Sequence, residues 1–300
     1  MEHLQMITIE NCPVCKHTDF KKLFSAKDFL VSGSEFDIQT CVHCGFKFTS
    51  PRPEDYALGE YYQSDEYVSH NDSGRGLVAR LYRLVRRRTL QSKEKWIRRH
   101  NLPGTLLDYG CGTGHFISVC KEKGWQVFGI EPDKKAFKIA ETTSGSVVRT
   151  SQDELEKALA DKKLDVVSMW HVLEHISDLS ACLDFLDRRL SANGTLYVAV
   201  PNINSRDAVH YGRDWAALDV PRHLYHFCEQ DLKRLFESKG FQLKESIGMP
   251  YDSFYVSLLS ERNQGSALAY LKAVCIGLYS NFRALFNSEY SSRVYVFRRA

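Results

Sequence analysis

From Pro103-Gly104 onward the chain repeats one rhythm: a short run of branched or aromatic apolar residues, a breaker, then an amphipathic stretch of helical period. Strand and helix in alternation produce parallel strands that need cover on both faces, so this rhythm restricts the fold to a doubly wound, mostly parallel α/β sheet. Strands are predicted at 105–109, 126–130, 146–149, 164–169 and 195–200, with helices at 115–123, 134–142, 152–160, 178–190 and 229–239. Two last strands are expected at 241–247 and 293–298, after an insertion at about 251–291. Within it, 267–279 is too short to span a bilayer and carries Lys272, which predicts one packed helix.

The first strand-to-helix turn reads Asp108-Tyr-Gly110-Cys-Gly112-Thr-Gly114. Glycines here let the backbone turn tightly and approach a ligand without Cβ interference, although a tight turn also needs glycine for geometry alone. The next strand ends in Glu131-Pro-Asp133, where an acid is placed to accept hydrogen bonds from a ribose diol. Both NAD and S-adenosylmethionine carry that diol. The spacing is G-x-G-x-G rather than G-x-G-x-x-G, and Asp108 precedes it, a pattern suited to a ligand with an ammonium group and no pyrophosphate.

With Trp170-His-Val-Leu-Glu-His175 after the fourth strand, these motifs resemble the class I S-adenosylmethionine-dependent methyltransferases, and within them the ubiquinone-type O-methyltransferase branch. The resemblance covers roughly residues 100–250 and the final strand. It implies a Rossmann-like sheet, with Asp108, Gly110, Gly112 and Gly114 at the cofactor, of which Asp108 and Gly110 lie near its methionine moiety. It further implies Glu131 on the ribose, Ser151 and Gln152 at the adenine, and His171 beside the cofactor. His171-x-x-Glu174-His175 also matches the H-x-x-E-H pattern of some zinc peptidases, but it follows a buried strand instead of lying on a stable helix. Hydrogen bonds within the fold are the plainer expectation for Glu174 and His175, with a divalent-ion site on His171, Glu174 and His175 as the alternative that the resemblance implies.

Ligands of open α/β sheets bind beyond the carboxyl ends of the strands, so the loop after the fifth strand, with Tyr211, Trp215 and the run Asp219 to Phe227, is the expected acceptor side. Methyl transfer from a sulfonium is an in-line displacement that needs proximity and, for hydroxyl or carbon acids, a base. His223 is the candidate base, with His226 and His171 behind it; Arg222 and Tyr211 are expected to line the same pocket. Pinning of the loop by Arg222 and His223 is an equal alternative.

Ahead of the sheet, Cys12-x-x-Cys15 and Cys41-x-x-Cys44-Gly45 are two knuckles that can close a tetrahedral thiolate shell around structural zinc, with Gly45 bending the second turn back. Redox chemistry would need only one pair. His17 and His43 are expected to stay solvated. A zinc-binding pair of turns, a tyrosine-rich segment and this core together are similar in organisation to deoxysugar C-methyltransferases, whose further C-terminal domain has no counterpart in these residues.

The expected organisation is a zinc-ribbon module at 1–50, a tyrosine-rich connector and basic amphipathic helix at 51–100, and the cofactor-binding domain at 101–300. In that helix Leu77, Leu81, Leu84 and Val85 share one face, with Arg80, Arg83, Arg86, Arg87 and Arg88 largely elsewhere. It could meet RNA, an anionic membrane or a phosphorylated substrate, solvated charge being the plainer outcome. With 40 basic against 37 acidic side chains, no global field points to a polyanionic partner. The nine cysteines, the lack of a signal-like start and the lack of an apolar stretch of membrane-spanning length suggest a cytosolic protein. The leading expectation is methyl transfer to oxygen or carbon of a small-molecule acceptor. The rivals are an RNA base methyltransferase and a non-catalytic interaction protein that uses the zinc ribbon.

Overall fold

The computed structural model describes residues 5–62 and 77–300. In chain order the elements are β1 (Met6–Ile7), β2 (Phe20–Lys27), β3 (Glu35–Cys41), β4 (Lys47–Thr49), β5 (Arg52–Pro53), α1 (Asp55–Leu58) and α2 (Leu77–Arg98). The alternating part follows as β6 (Thr105–Tyr109), α3 (His115–Glu122), β7 (Gln126–Ile130), α4 (Lys134–Ser144), β8 (Val147–Arg149), α5 (Gln152–Leu159), β9 (Leu164–Trp170), α6 (Leu179–Arg189) and β10 (Leu190–Pro201). The chain then runs through α7 (Arg206–Tyr211), β11 (Tyr225–His226), α8 (Glu229–Glu237), β12 (Phe241–Gly248), α9 (Asp252–Asn263), α10 (Ala269–Asn287) and β13 (Ser292–Arg299).

The large sheet has the order β12-β13-β10-β9-β6-β7-β8, with β13 antiparallel to both of its neighbours and the pairs among β10, β9, β6, β7 and β8 parallel. This is the Rossmann-like sheet expected from the sequence. The parallel strands are nearly continuous apolar runs, such as Val166-Val167-Ser168-Met169-Trp170, because helices cover them on both faces. Local chemistry sets the helix ends. Asp133 caps α4 by accepting from the Lys135 and Ala136 amides, and Gly145 ends it in the left-handed region that glycine tolerates.

The order of the strands determines where a ligand can sit. β6 lies between β7 and β9, so the chain leaves it in one direction through β7 and β8 and returns to its other side with β9. The crevice at this reversal, outside the carboxyl ends of β6 and β9, is the usual binding site of open α/β sheets.

A second antiparallel sheet, β11-β4-β3-β2, joins the N-terminal strands to the loop beyond β10 through pairing of Tyr225 with Phe48 and His226 with Lys47. Phe46 and Phe48 share a core with Tyr225 and Phe227; the Phe46 and Phe227 ring centroids are 5.5 Å apart. In the insertion, the single helix expected at 267–279 is corrected to a hairpin of α9 and α10. The hairpin closes on small residues, Ser253, Ser257 and Ser260 against Ala273, Gly277 and Ala284, and a Cβ on Gly277 would lie 2.6 Å from the Phe254 ring. Serines on the buried face give α9 no apolar stripe, which is why periodicity did not reveal it.

Candidate functional site

The loop between β6 and α3 begins at Asp108, a buried carboxylate whose Oδ1 accepts a 2.6 Å hydrogen bond from the Ser168 hydroxyl across the switch point. Its three glycines adopt positive φ for different reasons. A Cβ on Gly110 would strike the Val172 side chain, and one on Gly114 would lie 2.8 Å from the Ala140 Cα, so these two glycines permit close packing against the turn after β9 and against α4. Gly112, at φ 53°, has nothing within 4 Å of where its Cβ would be, so this part of the loop faces open space. The Gly112 amide donates to Glu131 Oε2 at 2.8 Å and the Asp133 amide to Oε1 at 2.9 Å, which aims the Glu131 carboxylate while each oxygen keeps a lone pair free.

Burial raises Asp108 to about 7, partly opposed by Ser168 and by the positive charge of Lys93. Burial also pushes Glu131 up. Lys93, on α2, lies 4.4 Å from the Trp170 ring centroid and acts electrostatically on both Asp108 and Asp252. Neither Lys93 nor Asp252 was singled out in the sequence. Lys93 was hidden in a helix that reads as a basic solvated stripe, and Asp252 in an insertion with no motif. Ser151 caps α5, accepting from the Glu154 amide at 3.3 Å, and Gln152 borders an open depression shared with Tyr109, His175 and Asp178.

His171 follows β9 at φ 57°, a left-handed conformation that a non-glycine residue adopts at a cost. Its ring bridges two acids, with Nε2 3.4 Å from Asp252 and Nδ1 3.5 Å from Glu174. Against the effect of burial, those two carboxylates raise His171 to about 9, so it is a cation at neutral pH. Glu174 is fully buried, and among the described residues its oxygens meet only the 3.5 Å ion-pair contact with His171 and no well-formed hydrogen bond. His175 bonds to Tyr62 and to the Arg222 carbonyl, as expected of a histidine satisfied within the fold, whereas Glu174 relies on its contact with His171. Ligand atoms of Glu174, His175 and His223 lie within 4.8 Å of one another, a set of donors compatible with a cation.

The structure brings His223 and His175 together, with ring centroids 4.6 Å apart. His223 Nδ1 is 2.8 Å from the Ala217 carbonyl, which can only accept, so the hydrogen sits on Nδ1 and the lone pair of the neutral ring on Nε2. The other three acceptor-side residues point into the protein. Arg222 is 1% exposed and donates to Asp219, to Asp28 and to the Tyr61 carbonyl. Tyr211 is buried and donates to Glu261, which faces it from α9. His226 lies in β11 with Nε2 3.1 Å from Thr49 Oγ1, and burial, with His223 nearby, lowers it to about 3.

At the N-terminus, the Sγ atoms of Cys12, Cys15, Cys41 and Cys44 all lie within 4.8 Å of one another, with Cys12 to Cys44 at 3.6 Å and Cys15 to Cys41 at 3.5 Å. Tetrahedral Zn–S bonds of about 2.3 Å require sulfurs about 3.8 Å apart, so the shell is close to the size zinc needs. Each knuckle turns through a left-handed residue four positions after its first cysteine, Lys16 and Gly45 respectively. His17 and His43 stack on each other at 3.6 Å and are exposed. The side chains of Arg80, Arg83, Arg86 and Arg87, and of the leucines expected opposite them, lie outside the described residues.

A family model described as a methyltransferase domain matches residues 78–246. The sequence is 28% identical over 158 residues to a ubiquinone biosynthesis O-methyltransferase of Nitrosospira multiformis, a match covering 49% of this chain and 66% of that one. It is 25% identical over 189 residues to a protein of Mycolicibacterium smegmatis named a probable S-adenosylmethionine-dependent methyltransferase, covering 60% and 71% of the two chains. The backbone resembles that of magnesium protoporphyrin IX methyltransferase from Synechocystis, solved with bound SAH, with a TM-score of 0.53 at 18% identity, covering 82% of this chain and all of that one. At that identity the likeness establishes the fold.

Proposed function

The chain belongs to the class I S-adenosylmethionine-dependent methyltransferase family, and on that premise we propose that it methylates oxygen or carbon of a small-molecule acceptor, leaving S-adenosylhomocysteine. The observation that carries the reading is the open side of Gly112 next to the doubly anchored Glu131 carboxylate, at the reversal point of the sheet. When bound, S-adenosylmethionine supplies an electrophilic methyl group on a sulfonium. Glu131 holds the ribose hydroxyls with its free lone pairs, Ser151 and Gln152 border the adenine, and Gly110, packed against Val172, carries the loop past the methionine moiety. Asp108 attracts the ammonium group and Lys93 the carboxylate.

On the acceptor side, His223 takes a proton at Nε2. His175 is unsuited to that role because burial, with His223 close by, lowers it to about 4. His171 is a cation that orients rather than a base. Arg222 and Tyr211, engaged within the protein, set the shape of the pocket. One zinc ion on Cys12, Cys15, Cys41 and Cys44 holds the N-terminal turns together, and four thiolates leave it no open position.

Calorimetry with S-adenosylhomocysteine and with NAD tests the cofactor; binding of NAD alone would falsify the proposal. A panel of acceptors with labelled cofactor then tests the chemistry. His223→Ala is expected to keep cofactor affinity and to lower turnover by about 10² to 10⁴. Near-normal turnover in that variant would leave proximity without a base as the mechanism.

A further inference from the structure

The hairpin of α9 and α10 is built inside out. Its small residues face the protein, while Leu271, Val274, Leu278, Phe282, Leu285 and Phe286 of α10 are between 49% and 77% exposed. At 3.6 residues per turn these six side chains lie on one side of the helix, in an arc of roughly a third of its circumference that contains no charged residue. The opposite side is fixed. Buried Asp207 of α7 accepts hydrogen bonds from Ser280 of α10, from Ser291 and from the Trp215 ring, so the helix cannot roll its apolar arc inward without breaking them. Scattered exposed leucines are ordinary in a folded protein, but a contiguous run over about four turns marks an interaction surface.

Charge at the rim indicates what covers it. Helix α10 contains Lys272 and Arg283 and no acidic residue. Both cations lie at one edge of the arc, where the Arg206 guanidinium also sits 5.4 Å from the Tyr279 ring centroid. At the other edge Arg262 lies 5.7 Å from the Tyr270 ring centroid and donates to its hydroxyl at 3.0 Å. Lys272 is partly balanced by buried Glu261 at 3.7 Å; no ion pair is found for Arg206, Arg262 or Arg283 among the described residues. Around a two-fold axis through the arc, a second copy would bring this cationic rim against itself, which opposes association.

An apolar stripe with tyrosines and cations along its edges matches the interface of an anionic bilayer: aliphatic side chains enter the acyl boundary, tyrosines sit at headgroup depth and arginines meet the phosphates. No helix among the described residues is long and apolar enough to cross a membrane, so the contact is one of lying on the surface. We infer that the outward face of α9 and α10 docks the protein on an anionic lipid bilayer.

The test is co-sedimentation of the full chain with phosphatidylcholine vesicles prepared with and without phosphatidylglycerol. Binding is expected to the anionic vesicles only and to weaken with salt. Arg206→Ala combined with Arg283→Ala should reduce it on the order of tenfold, and Leu278→Glu combined with Phe282→Glu should abolish it. The last two side chains are more than half exposed, so melting temperature and cofactor affinity, measured alongside, should stay at the wild-type values. Equal binding to both kinds of vesicle, no binding to either, or wild-type binding by the double glutamate variant overturns the inference. So does a lipid-free dimer, seen by light scattering, that the glutamates dissociate while vesicles capture neither form.

Discussion

Asp108 illustrates how one buried side chain is set for its task. Among the described residues its carboxylate takes one hydrogen bond, from Ser168, and burial lifts it to about 7 from an ordinary value of 3.8. Because the folded value lies above the unfolded one, the protonated carboxyl stabilises the protein at acidic pH, and this contribution is lost as the pH rises toward 7. A bound ammonium group reverses the preference, so ligand binding should expel the proton. Affinity for S-adenosylhomocysteine is therefore expected to increase by up to about tenfold per pH unit between about pH 5 and 7 and to level off above that range. Asp108→Asn should bind more weakly and without this slope. Calorimetry in buffers of different ionisation enthalpy checks the proton release directly, and an unchanged slope in the asparagine variant would remove Asp108 from the account.

Among the elements, the loop that carries β11 has the largest structural reach. Arg222 joins it to Asp28 of the N-terminal module at 3.1 Å and to Asp219 of the loop itself at 2.6 Å, all three side chains being largely buried. Arg222→Ala leaves Asp28 buried without its counter-charge, a defect that costs about 3–5 kcal/mol. The lower end is expected here because Asp28 also accepts hydrogen bonds from the Leu30, Val31 and Ser32 amides. Denaturant unfolding should show that loss with cofactor affinity nearly unchanged; a variant of normal stability but poor turnover would instead place Arg222 on the acceptor. The parallel strands and their helices were legible in the sequence because their signal is local: apolar runs, glycine turns and amphipathic stretches lie within a few residues of each other. The pairing of His226 with Lys47, the bond from Tyr211 to Glu261 and the ion pair from Asp28 to Arg222 join segments far apart in the chain, and no local pattern encodes them. For the same reason Lys93 and Asp252 escaped notice, since only the folded chain brings them to Asp108 and His171.

At the scale of the molecule, the N-terminal module and the large sheet share one interior. Cys12 and Cys41 are buried in the same cluster as Phe46, Phe48, Tyr225, Phe227 and Phe236, and Arg234 of α8 donates to the Cys44 carbonyl at 2.6 Å. A short segment holding a metal would ordinarily melt by itself once the ion is removed, because the ion supplies much of its folding free energy. Here its residues form one wall of the main core, so loss of the ion should propagate. Scanning calorimetry of the zinc-loaded chain is expected to show one transition for module and sheet together. Chelation, or Cys12→Ser, should lower that single midpoint on the order of 10 °C instead of splitting it. Two resolved transitions, with the upper one indifferent to zinc, would mean that the shared aromatic core does not couple the two parts, and unchanged melting after verified removal of bound metal would take zinc out of the folding of this protein.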